Sequence, residues 1–224
     1  MKRIVIAIDG PAASGKSTTA KLVAQRLDYL HLDTGAMYRA ITLEVIRRKV
    51  APDDAASVRK VVSVTRVRLE QGKNGNRVLL NGKEVTSEIR SPKVTRTVSL
   101  ISSYPFVREL MVLEQRKMAS KGGIVLEGRD IGTVVLPKAE LKIYMVANVA
   151  ERARRRKKDL ALVGEEVDEN ELVNEIVERD RKDSTRETSP LRQAEDAIEL
   201  DTSNVTIDDQ VEFIIKKANE IIHS

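Results

Sequence analysis

Arg3-Ile4-Val5-Ile6-Ala7-Ile8-Asp9-Gly10-Pro11-Ala12-Ala13-Ser14-Gly15-Lys16-Ser17-Thr18 is the stretch on which the reading of this chain turns. An apolar run of strand length enters a glycine-bounded turn of the form G-x-x-x-x-G-K-S, and the helical pattern Thr19-Ala20-Lys21-Leu22-Val23-Ala24-Gln25-Arg26-Leu27 leaves it. Strand, turn and helix in that order make a phosphate cradle. Gly10 and Gly15 let the backbone curl so that its N–H groups converge, and the helix N-terminus adds a positive dipole end to the same hollow. The expected nucleotide-binding residues are therefore Gly10, Pro11, Ala12, Ala13, Ser14, Gly15, Lys16, Ser17 and Thr18. Lys16 would reach the β- and γ-phosphates, and the Ser17 hydroxyl would ligand Mg²⁺.

The totals narrow the setting. With 224 residues and 41% hydrophobic content, the chain can bury a core as one domain carrying insertions. It has no cysteine, which excludes disulfides, thiolate metal sites and cysteine nucleophiles. The first residues run straight into a strand and no apolar run approaches the ~20 residues of a membrane span, so no signal peptide, no membrane contact and a cytoplasmic location are expected. Net charge is +5, from 39 bases and 34 acids. With aromatics at only 3%, this mixed surface suits anionic small molecules better than single-stranded nucleic acid.

Outward from the cradle, five strand candidates near residues 3 to 8, 29 to 33, 124 to 127, 141 to 146 and 197 to 201 alternate with helical patterns. That alternation predicts an α/β fold with a parallel sheet and right-handed crossovers. Thr34-Gly35 should break the second strand before a helix Ala36–Arg48, which places Tyr38 and Arg39 beside a strand end, where ligands bind in such sheets. Asp53 or Asp54 should cap a helix running to Val64. From Thr65 to Thr86 the period changes to two. The turns Gly72-Lys73-Asn74-Gly75-Asn76 and Asn81-Gly82 then predict a three-stranded antiparallel insertion. Helices are expected from Pro92 to Ser102 and from Pro105 to Lys121. Glu127-Gly128-Arg129-Asp130-Ile131-Gly132-Thr133 reads as a polar turn where the next strand leaves the sheet. After Asn148 comes Glu151-Arg152-Ala153-Arg154-Arg155-Arg156-Lys157-Lys158, a basic run of the kind that is usually a solvated face. A mobile turn over 160–168, a helix from Glu169 to about Lys182 and a final helix Ile207–Ile222 complete the pattern.

A phosphate cradle names the ligand class and leaves the reaction open among a small-molecule kinase, a regulatory GTPase and a nucleic-acid-directed ATPase. No guanine-reading N-K-x-D occurs, and the nearest acids for an ATPase are Asp33 and Glu127. Arg39, Arg108, Arg129, Arg179 and Arg186 fall at strand exits, helix starts or within the insert. Transfer of a phosphoryl group between two anions needs several fixed cations, and guanidinium groups grip the oxygens bidentately.

Gly10 to Thr18, Asp33-Thr34-Gly35-Ala36-Met37-Tyr38-Arg39, Gly128-Arg129-Asp130-Ile131-Gly132-Thr133 and the run from Arg179-Asp180 to Arg186 together resemble bacterial cytidylate kinases over essentially the whole chain, three-stranded insert included. The resemblance implies a P-loop kinase with a five-stranded parallel sheet, a monophosphate-binding insert at 36–105 and a lid at 154–185, all within one domain. It implies transfer of the ATP γ-phosphate, with Mg²⁺, to CMP or dCMP, by a monomer with no nucleic-acid partner. A related P-loop small-molecule kinase, or a basic nucleic-acid-binding ATPase, is the alternative. By motif position it implies that Thr34, Tyr38 and Arg39 line the monophosphate site, and that Ser99, Arg108 and Asp130 contact the cytosine. Arg129 would meet the transferred phosphate, while Arg179, Asp183 and Arg186 would close over the acceptor. Arg152 and Arg156 would touch ATP. Lys16, Arg129, Arg179 and Arg186 are then the expected catalytic cations. Where this chain has Glu127, the family often has aspartate.

Overall fold

The computed structural model describes residues 2–72, 75–162 and 164–224. In chain order they form β1 (Val5–Asp9), α1 (Lys16–Leu27), β2 (Leu30–Asp33), α2 (Thr34–Arg47), α3 (Ala55–Ser63), β3 (Val67–Gly72), β4 (Gly75–Leu80), β5 (Lys83–Glu84), α4 (Pro92–Ser103), α5 (Pro105–Ala119), β6 (Ile124–Gly128), β7 (Leu141–Val146), α6 (Val149–Ala161), α7 (Glu169–Thr185), β8 (Ile198–Asp201) and α8 (Ile207–Ile222). Contacts group them into two units, Leu30–Lys121 and Met1–Tyr29 with Gly122–Ser224. The strand order of the large sheet is β2-β6-β1-β7-β8, the five-stranded α/β sheet expected from the sequence.

In the unit made from both chain ends, β6, β1, β7 and β8 pair in parallel. Helices cover such strands on both faces, which is why they read as near-continuous apolar runs. Ile4, Ile6 and Ile8 share one core with Val23 and Ala24 of α1 and with Val211, Ile214 and Ala218 of α8. Asp9 pairs with Gly128 on one side and Tyr144 on the other, so β1 and β6 end at one level and β7 runs two residues past it. The loops after β1 and β6 therefore leave the same carboxyl edge, where open parallel sheets bind ligands. α6 and α7 carry a smaller core of Ala153, Leu160, Leu172 and Ile176.

The unit Leu30–Lys121 is built on α2, whose Met37, Ala40, Ile41 and Val45 are fully buried. β3, β4 and β5 form the expected antiparallel sheet. Asn81 and Gly82 both have positive φ, as a two-residue hairpin turn requires. The centre of the other expected turn, Lys73 and Asn74, lies outside the described residues.

Three local readings change. The second strand ends before Thr34-Gly35 as expected, but these two residues already belong to α2, because the Asp33 side chain accepts from Ala36 N and caps the helix two residues early. Tyr38 and Arg39 consequently sit in its second turn. The stretch after Asp130, read as a plain turn, is a one-turn π-helix, Ile131–Val135. α7 runs on to Thr185, carrying Asp183 on the helix and leaving Arg186 as its cap.

Candidate active site

The cradle forms as its spacing requires. Gly10 has φ 148°, and a Cβ there would lie 2.1 Å from the carbonyl oxygen of Met145 on β7. Gly15 adopts φ 94° and caps α1. Gly10→Ala must displace strand backbone, so it is expected to cost about 3 kcal/mol or more; a chemical-denaturation midpoint unchanged from the parent would contradict this. The Lys16 ammonium donates to Pro11 O at 2.5 Å and Ser14 Oγ at 3.1 Å, so the charge is held at the mouth of the loop. Burial, then the nearby Arg129 guanidinium, pulls its pKa down to about 7, against the opposing pull of Glu127 and Asp9. Ser17 Oγ donates to Glu127 Oε2 at 2.6 Å, while Thr18 is exposed.

Two residues that the motifs did not flag brace the cradle from the far end of the chain. Thr202, fully buried after β8, has its hydroxyl 2.9 Å from Ser14 O and 3.0 Å from Val146 O. Gln210 of α8 accepts from Thr19 Oγ1 at 2.7 Å.

The turn after β6 meets α7. Arg129 Nε donates to Asp183 Oδ2 at 2.9 Å, and Arg186 Nη2 lies 3.8 Å from Asp130 Oδ1. Arg186 Nε also donates to Ser189 O. Burial raises the Asp183 pKa, but the guanidiniums of Arg129 and Arg179 outweigh it and hold the carboxyl below its ordinary value. Arg179 itself is pushed down, first by burial and then by the like charge of Arg129, with Arg156 adding to it. Its Nε has no hydrogen-bond partner among the described residues. Cations are thus packed closer than their carboxylates neutralise, an arrangement that attracts an anion.

Of the basic run, Arg152 is buried, donating to Asp180 Oδ2 at 2.6 Å, Ala147 O at 3.0 Å and Ala12 O at 3.3 Å. Arg156 is half-buried near Arg179. Arg155, read as part of a solvated face, instead bonds Glu151 and both Thr202 oxygens. The i,i+4 spacing on α6 accounts for the Glu151 pair, while the Thr202 bonds span 47 residues, and a charge count shows neither.

In the other unit, Thr34 is buried at the start of α2, and the Arg108 guanidinium lies 5.3 Å from the Tyr38 ring centroid. Arg108 Nη1 donates to Ser102 O, and Arg39 Nη1 to Thr95 Oγ1 at 2.8 Å. Ser99 is half-buried one turn before Ser102, whose hydroxyl donates to Ser99 O. An aromatic face, two guanidiniums and hydroxyls suit a planar base bearing a phosphate.

Oxygen donors at Ser17 and Glu127 fit Mg²⁺, a hard cation. No group of three or more His, Cys, Asp or Glu able to hold a metal occurs among the described residues. Phosphates and water would therefore supply most of its shell. No described helix is long and apolar enough to cross a membrane.

The family model described as Cytidylate kinase matches residues 6–220. A cytidylate kinase of Lactococcus lactis subsp. lactis is 51% identical over 222 residues, covering 99% of this chain and 100% of its own. One from Pelotomaculum thermopropionicum is 51% identical over 215 residues, covering 96% and 95%. Among solved structures, an uncharacterized protein from Eubacterium ventriosum aligns with TM-score 0.55 at 14% identity, over 98% of this chain and 99% of its own. A shikimate kinase from Bacteroides thetaiotaomicron aligns with TM-score 0.50 at 12% identity, over 97% and 99%. These two are similar in fold.

Proposed function

This chain belongs to the cytidylate kinase family, and from that premise we propose that it transfers the γ-phosphate of ATP to CMP or dCMP, giving CDP or dCDP and ADP. The observation that carries the reading beyond membership is the crowding of Lys16, Arg129 and Arg179. Burial and mutual repulsion depress both Lys16 and Arg179, as expected of groups set to receive phosphate charge.

The chemistry asks for positioning and charge stabilisation, with no covalent enzyme intermediate. The loop Gly10–Gly15 and Lys16 hold the donor phosphates, with Ser17 and Thr18 at the helix start. Arg152, just before the lid, and Arg156, within the lid at residues 154–185, bear on ATP. Thr34, together with Tyr38 and Arg39 of the insert 36–105, binds the monophosphate, and Ser99, Arg108 and Asp130 read the cytosine. Arg129, Arg179 and Arg186 stabilise charge on the transferring group, and Asp183 keeps Arg129 aimed. Mg²⁺, held through Ser17 and Glu127, would neutralise phosphate charge when bound. A cytoplasmic monomer is the matching setting.

The test is ADP release with CMP, dCMP, UMP, AMP and shikimate in parallel. Turnover with CMP and dCMP at least tenfold above the others is expected, and an AMP or UMP preference would overturn the base assignment.

Lys16 supplies a second test. Burial and the neighbouring Arg129 hold its pKa in the free protein at about 7, well below the ordinary lysine value. Bound phosphates favour the charged form, so ATP binding at pH 8 should be accompanied by net proton uptake. Calorimetry in buffers of different ionisation enthalpy reads this directly. A binding enthalpy independent of buffer at pH 8 would contradict it.

A further inference from the structure

Asp9, the last residue of β1, is 5% exposed, and a buried carboxylate is costly unless hydrogen bonds meet it. Both oxygens are met. Oδ1 accepts from Ile131 N at 2.8 Å and Oδ2 from Gly132 N at 2.7 Å. These are consecutive amides at the start of the π-turn, directly after Arg129 and Asp130. Gly132 permits the approach, since a Cβ there would stand 3.1 Å from Lys142 Cδ and 3.4 Å from Asp9 Oδ2. Asp9 is also the residue before Gly10, so one side chain joins the root of the phosphate loop to the turn that carries Arg129.

We propose that Asp9 is a positioning residue for phosphoryl transfer: by clamping the Ile131 and Gly132 amides it holds Arg129 and Asp130 at a fixed place relative to Lys16. Only a carboxylate accepts from two parallel N–H groups at once. An amide in its place accepts one and turns its own N–H₂ toward the other. A displacement of about 1 Å at such a cation is enough to cost roughly a hundredfold in turnover. This rests on the proposed function for the roles of Arg129 and Asp130, while the clamp itself is readable without substrate.

Four charged or titratable neighbours face Asp9: Lys16 from the start of α1, Asp130 from the turn, and Tyr144 and Lys142 from β7. The Lys142 ammonium is itself held by Pro137 O and Asp196. Burial, partly offset by the two amide bonds, raises the Asp9 pKa to about 6. Acidification should therefore loosen the clamp within an accessible range.

The experiment is Asp9→Asn beside the unaltered chain, read three ways. In ¹⁵N-labelled protein without substrate, the Ile131 and Gly132 amide signals should titrate together with a midpoint near pH 6. In Asp9→Asn that shared titration should vanish. kcat should fall about 30- to 100-fold, while the Kd for ATP stays within threefold because the loop and Lys16 are untouched. Loss of ATP affinity equal to the loss of kcat would make Asp9 a support of the loop alone and overturn the proposal, as would kcat within threefold of the parent. If the variant does not fold, the amide titration of the unaltered chain decides: Ile131 and Gly132 signals that show no shared titration at any pH down to acid unfolding refute the clamp. Absence of CMP phosphorylation by the unaltered chain would sink the proposed function and leave the clamp standing.

Discussion

Lys16→Met is expected to lower kcat about a thousandfold while the protein stays folded with an unchanged or higher melting temperature. Methionine keeps much of the aliphatic stem, gives up the ammonium's bonds to Pro11 O and Ser14 Oγ, and removes a charge whose burial is unfavourable, as the depressed pKa records. What it cannot replace is positive charge aimed at oxygens whose charge grows during transfer. One such preorganised donor is worth roughly 10² to 10³ in rate, and a full charge in a dry site lies at the upper end. Rapid-quench turnover at saturating ATP, paired with a thermal melt, separates the two effects. A variant within a few-fold of the parent, or one that loses activity only because it unfolds, contradicts the role given to Lys16.

Arg179→Ala should show the same dissociation of activity from stability. Arg179 is desolvated, repelled by Arg129 and Arg156, and its Nε has no hydrogen-bond partner among the described residues. Its removal relieves like-charge repulsion and leaves Asp183 its 2.9 Å bond to Arg129. Folding stability should accordingly move by no more than about 1 kcal/mol. Arginines that meet the transferring phosphoryl group contribute about 10³ or more to the rate. A thousandfold loss of kcat is expected, with Arg179→Lys recovering only part of it because the bidentate fork is lost. A large drop in melting temperature with turnover intact would place Arg179 in the scaffold instead.

Much of this architecture was legible because its signals are local. The G-x-x-x-x-G-K-S turn between a strand and a helix, Asn81-Gly82 between alternating runs, and the caps at Asp54 and Asn148 each declare themselves within a few residues. The start of α2 is less legible: Thr34-Gly35 has the composition of a break, which ends the strand, and hides the Asp33 cap that draws both residues into the helix. The braces of the site were not legible at all. Asp9 meets amides 122 and 123 residues away, Thr202 meets Ser14 across 188, and Thr19 meets Gln210 across 191. Those pairings depend on strand order and register, which no spacing along the chain encodes. Arg155 was misplaced for a related reason: its helix face is set by what α6 packs on, whereas its charge alone suggested solvent.

The most direct measurement follows the phosphorus atom itself. With ATP labelled at the γ-position and CMP present, the label is expected in the β-phosphate of CDP at the rate of ADP formation, with inorganic phosphate a minor product. Label released as inorganic phosphate at one rate with and without CMP would contradict a transfer between two nucleotides.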